Sequence, residues 1–132
     1  QSFLKETSIA GKRISLNLEE IYKHNPDIIY ISNFSPLSVE ELLNKQEWQN
    51  LEAIKQKKVY KFPLATYKPY PPSLDLAPFL LFLAKHNHPE LFANLDVKEE
   101  YKKHFKNFYG LDLNEKQLEM IFNPPKDSGK LN

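Results

Sequence analysis

Two short apolar runs, IIYIS at residues 28–32 and VYKF at 59–62, constrain this chain more than any other feature. The first lacks alternation between apolar and polar residues, as expected of a parallel strand covered on both faces. Residues 33–58 between the two carry helix signals. A strand, helix, strand order at these lengths predicts two parallel strands joined by a right-handed crossover. The loops at their carboxyl ends, Asn33-Phe34-Ser35-Pro36 and residues 64–72 (LATYKPYPP), then lie side by side. Open α/β sheets bind ligands at that edge.

The flanking segments read as helices with local start and stop signals. Asn17 is placed to cap a helix carrying Leu18, Ile21 and Tyr22, with Glu20 at the reciprocal third position, and Pro26 ends it. Ser38-Val39-Glu40-Glu41 is a capping box for the crossover, which turns Leu42 and Leu43 inward and continues through Trp48, Leu51 and Ile54 at helical spacing. Beyond the proline-rich loop, residues 76–86 form an apolar helix. Asp75 is the expected cap, Pro78 lies in the first turn and Pro89 follows as the stop. A further amphipathic helix begins at Asp96, presents Val97, Tyr101, Phe105 and Phe108 on one face, and ends at Gly110. Asn114 caps a last helix with Leu118, Ile121 and Phe122, and the tail at 124–132 reads as flexible. The expected fold is α/β, a single Rossmann-like three-layer domain over residues 1–132 with a small parallel sheet and a helical C-terminal layer. Two strands are too few to stand alone, and the first dozen residues are the candidate for a third.

Composition narrows the function classes. A chain of 132 residues can bury about two-thirds of its unfolded surface. The 18 basic and 17 acidic residues nearly cancel, so no field recruits nucleic acid. No apolar run reaches the roughly 20 residues of a membrane span. The absence of cysteine excludes disulfides and thiolate metal sites. With three unclustered glycines there is no phosphate-cradling loop, and neither a Gly-x-Ser-x-Gly elbow nor a His-Glu-x-x-His motif is present. His86 and His88 suit the negative end of a helix, while His24 and His104 read as solvated helix positions. Glu19 and Glu20 suit a helix start. Tyr67 and Tyr70, stiffened by prolines 69, 71 and 72, offer flat apolar faces with hydroxyl donors, a surface suited to a ring or chelate ligand.

Four blocks in order, LNLEEIYKHNPDIIYIS, WQNLEAIKQKKVYKFP, PPSLDLAPFLLFLAKHNHPELF and FYGLDL, resemble the C-terminal lobe of periplasmic substrate-binding proteins for iron-siderophores, haem, cobalamin and related metal species. The resemblance covers about residues 14–122. It implies a non-enzymatic lobe of an ABC-importer binding protein that holds an iron or other metal chelate against its own N-terminal lobe and delivers it to a membrane permease. No resident cofactor is implied. The N-terminal lobe and an export signal would precede Gln1, and the location would be periplasmic or lipid-anchored at the outer face of the cytoplasmic membrane. Ligand contacts implied here are Asn33, Phe34 and Ser35 after the first strand, and Thr66, Tyr67, Lys68 and Tyr70 after the second. Glu19, with Glu20 beside it, is the implied permease-docking site. Lys68 is the basic residue of the ligand loops, since the sole arginine, Arg13, lies elsewhere. Three alternatives stay open: an oxyanion or free-metal ligand such as molybdate or nickel, an enzyme subunit on a similar lobe, and self-association of an isolated lobe.

Overall fold

A computed structural model describes residues 17–66 and 73–125. Helix α1 (Leu18–His24) opens on a complete capping box: the Asn17 side chain accepts from the Glu20 amide at 2.8 Å, and Glu20 accepts from the Asn17 amide at 3.2 Å. It closes at Asn25, whose φ of 37° is left-handed. Pro26 then directs the chain into β1 (Ile29–Ile31).

The crossover is helical in pieces. Helix α2 (Val39–Leu43) has the Ser38–Glu41 capping box expected from sequence. A 3₁₀ turn (Gln46–Trp48) and a second short helix, α3 (Glu52–Lys55), follow it. Leu51 breaks the run because its backbone is extended (φ −72°, ψ 140°) and its side chain is fully buried. The amides that open α3 find partners across the fold. Glu52 N donates to Asn25 Oδ1 at 3.0 Å, and Ala53 N donates to the Pro26 carbonyl at 3.2 Å. A helix start satisfied from 27 residues away carries no local signal.

Strand β2 (Val59–Lys61) pairs with β1 in parallel, Ile29 opposite Val59 and Ile31 opposite Lys61. Among the described residues the sheet has these two strands. The candidate third strand lies outside the described residues, as does the tail beyond 125. The period of two sorts the strand side chains between two covered faces. Ile29, Ile31 and Val59 pack with Leu42, Leu51 and Ile54 of the crossover. Tyr30, Tyr60 and Phe62 point the other way, onto α4 (Leu76–Asn87). There Phe62 meets Phe79 edge-on at 5.0 Å between ring centroids, and Tyr60 lies 3.8 Å from the His86 ring. This is the expected three-layer arrangement.

Helices α5 (Val97–Tyr109) and α6 (Glu115–Phe122) add the helical layer around Tyr101, Phe105, Leu118 and Ile121. The caps at Asp96 and Asn114 and the left-handed Gly110 (φ 66°) are as the sequence predicts. The buried face of α5 is not. His104, expected in solvent, is 7 % exposed, and Phe108, expected inside, is 69 % exposed. Both positions border the same stripe at helical spacing, and the choice went to the side chain with a buried partner, Asp75, 3.2 Å from His104 Nε2. Asp75 precedes α4 as expected but makes no side-chain cap bond, because its carboxylate is engaged elsewhere.

Candidate functional site

Parallel pairing brings the chain leaving β1 and the chain leaving β2 to the same edge, and specific bonds hold them there. Phe62 N donates to the Ile31 carbonyl at 2.9 Å, extending the ladder past β2. Asn33 Nδ2 donates to the Pro63 carbonyl at 3.3 Å, and Lys61 Nζ donates to the Ser35 carbonyl at 2.9 Å. The first loop is also folded on itself. Ser35 N donates to the Ser32 carbonyl at 3.0 Å, and Leu37 N donates to Ser35 Oγ at 3.2 Å.

The candidate residues therefore differ in role. Asn33 is 1 % exposed and braces the two loops, while its buried Oδ1 has no hydrogen-bond partner among the described residues. Phe34 and Ser35 are half-buried at the edge, and Thr66 is exposed at the end of the second loop's described part. Tyr67, Lys68 and Tyr70 lie outside the described residues. Lys61, which sequence reasoning left inside a strand, belongs to this edge through its bond to Ser35. The signal was a lysine in the third position of an otherwise apolar run.

Thr66 is fixed by Asp75. The Thr66 amide donates to Asp75 Oδ2 at 3.0 Å, its hydroxyl donates to the same oxygen, and His104 Nε2 and Tyr109 OH each lie 3.2 Å from Oδ1. Facing a carboxylate, the imidazole donates from Nε2. Tyr101 lies close enough for the Asp75 charge, after burial itself, to push its phenol well above the usual range. Among the described residues the Tyr101 hydroxyl has no hydrogen-bond partner.

Of the grooves on the described surface, two matter for the candidate residues. One, of about 780 Å³, runs beside β2 between Ser38, Asn44, Gln49, Lys61 and Asn123; it meets the edge at Lys61, while Asn33, Phe34, Ser35 and Thr66 do not line it. The other, of about 760 Å³, is at the amino edge of the strands and includes His24, His86 and His88. Among the described residues no three His, Asp or Glu side chains are placed to hold a metal ion. Burial lowers the His86 pKa, and its Nδ1 lies 2.8 Å from the Phe82 carbonyl, which places it in the packing of α4. On α1, Glu20 is occupied by its capping box, whereas Glu19 is exposed and has no partner among the described residues.

A sequence profile described as periplasmic binding protein matches residues 1–65. The molybdate-binding protein MolA of Haemophilus influenzae is 33% identical over 95 residues, covering 71% of this chain and 27% of that protein. A periplasmic solute binding protein from Veillonella parvula shares the fold with a TM-score of 0.74 at 26% identity, over 82% of this chain and 34% of that one. Helicobacter pylori CeuE, crystallised with Ni(II) bound, matches with a TM-score of 0.60 at 37% identity, over 81% of this chain and 34% of that one. The chain thus spans about a third or less of the length of these relatives. MolA and the Veillonella protein are described as binding proteins.

Proposed function

We propose, for a chain that belongs to the periplasmic binding proteins, that it is the C-terminal lobe of an ABC-importer binding protein and forms one wall of a cleft for a metal species. The observation that carries this reading is the braced carboxyl edge, where Asn33 and Lys61 lock the two strand-following loops together. A rigid platform of this kind loses little conformational freedom on binding. Asn33 acts as the brace, Phe34, Ser35 and Thr66 stand at the rim, and Tyr67, Lys68 and Tyr70 complete the wall. The other wall is the protein's own N-terminal lobe, and Glu19 is the contact for the permease. The lobe works in the periplasm, free or lipid-anchored at the outer face of the cytoplasmic membrane.

The cargo we favour carries its own oxygen shell, as an iron-siderophore or similar metal chelate does. The described residues supply no ligand set for a bare cation, and tyrosine faces with a few polar groups suit a chelate. An oxyanion is the second reading, favoured by the molybdate-binding relative. Calorimetric titration of the two-lobed protein with an iron(III) tricatecholate, nickel-histidine, sodium molybdate and nickel chloride separates the cases. Heat with a chelate or molybdate supports the proposal. Heat with nickel chloride alone overturns the preference for a shelled cargo, and no heat with any of the four overturns the binding role for these species. Alanine at Tyr67 or Tyr70 should weaken binding about tenfold, ~1.4 kcal/mol. Glu19→Ala should leave affinity unchanged and reduce uptake by cells; normal uptake removes Glu19 from the docking surface.

A further inference from the structure

Asp75 is fully buried, yet it does not perform the local task its position offers. An aspartate before a helix ordinarily accepts from amides in the first turn. Here α4 starts through the backbone alone, with Phe79 N donating to the Asp75 carbonyl at 3.2 Å, and no side-chain cap bond is made. The carboxylate instead accepts from the amide and hydroxyl of Thr66 on one oxygen, and from His104 and Tyr109 of α5 on the other. Ser73 Oγ accepts from the Asp75 amide at 3.1 Å and holds the backbone in place. A buried carboxylate is costly unless its donors are all in position. A neutral cap would start α4 without that cost, so the capping position alone does not account for an aspartate.

We propose that Asp75 is a positioning residue of the ligand site, acting through Thr66. It sets where the chain leaves the sheet edge ahead of the tyrosine-bearing segment, and its bonds to His104 and Tyr109 refer that point to α5. The helical layer thereby becomes part of the binding platform rather than a cover for the sheet. This inference rests on the reading of Thr66 as a rim residue of the cleft.

The test compares amide hydrogen exchange at Thr66 with that at Phe62, whose amide is held by the Ile31 carbonyl of the sheet. In Asp75→Ala, Thr66 exchange should accelerate at least about tenfold more than Phe62 exchange, since local opening is then uncoupled from global unfolding. Asp75→Asn keeps one acceptor oxygen and should hold Thr66 to within about threefold of wild type. Equal acceleration at both amides in Asp75→Ala would reduce Asp75 to a general stability residue and overturn the proposal. A second arm titrates the two-lobed protein with molybdate and with nickel-histidine. Where wild type binds either probe, Asp75→Ala should weaken it about tenfold and Asp75→Asn by less than about threefold. Unchanged affinity in Asp75→Ala overturns the positioning role. Where wild type binds neither probe, the same titration uses the iron(III) tricatecholate; binding of none of them counts against the function proposed above, and the exchange ratio then decides the placement of Thr66 by itself.

Discussion

The sheet half and the helical half of this molecule bury polar groups in opposite ways. On the crossover face of β1 and β2 the core is aliphatic, with Ile31, Leu42, Leu51, Ile54 and Val59, and the buried amide Asn33 ties one loop to another by a single neutral bond. Around α5 the interior carries a carboxylate, an imidazole and the Tyr101 phenol, with the half-buried Tyr109 beside them. The first half is held mainly by the removal of apolar surface from water, which is non-directional. The second adds directional bonds that cost free energy whenever one member is missing. A site built at the junction takes its rigidity from the first and its placement from the second.

The largest test of this contrast compares two leucines that are both fully buried, Leu51 in the crossover and Leu118 on α6. Alanine at either should cost about 3 kcal/mol in urea unfolding. If the halves unfold as one unit, both variants shift a single transition. Two transitions, each sensitive to one leucine, would break the junction into independent parts. Next in size, Glu20→Ala removes half of a capping box and should cost about 1 kcal/mol, while Glu19→Ala should leave the melting temperature unchanged. Equal effects would mean that the two glutamates are not divided between a fold role and a free surface.

Tyr101→Phe runs the other way. The hydroxyl is buried without a partner among the described residues, so its removal should be neutral or stabilising by up to about 1 kcal/mol. A loss of that size would show that the hydroxyl is satisfied in solution. The smallest effect concerns His86, on the α4 face shared by both halves. Burial holds its folded pKa below the ordinary 6.5. The unfolded chain therefore takes up its proton first as pH falls, and the stabilising contribution present above pH 6.5 is lost as pH drops through the folded value. Urea midpoints measured on either side of that range should fall less in His86→Phe than in wild type. An unchanged slope would remove His86 as a source of the acid sensitivity.

How much of this was legible depended on whether the signal was local. The capping boxes at Asn17 and Ser38, the left-handed Gly110 and the parallel pair of strands follow from residues within a few positions of one another. The spacing of Trp48, Leu51 and Ile54 marks the crossover as helical but not where it breaks, because that spacing survives a break when each segment turns its apolar side inward. On α5, His104 and Phe108 exchanged their expected places because polarity alone ranks phenylalanine inside.

Local propensity and periodicity, written into the sequence, determined the starts of the capped helices, the two strands and the sheet edge on which the loops meet. The tertiary structure decided what those loops are fastened to: Asn33 to Pro63, Lys61 to Ser35, and Thr66 to Asp75 with α5 behind it. Those bonds join residues 9 to 30 positions apart. A buried polar side chain takes whichever partner packing brings within reach, and no residue's own neighbours in sequence specify that partner.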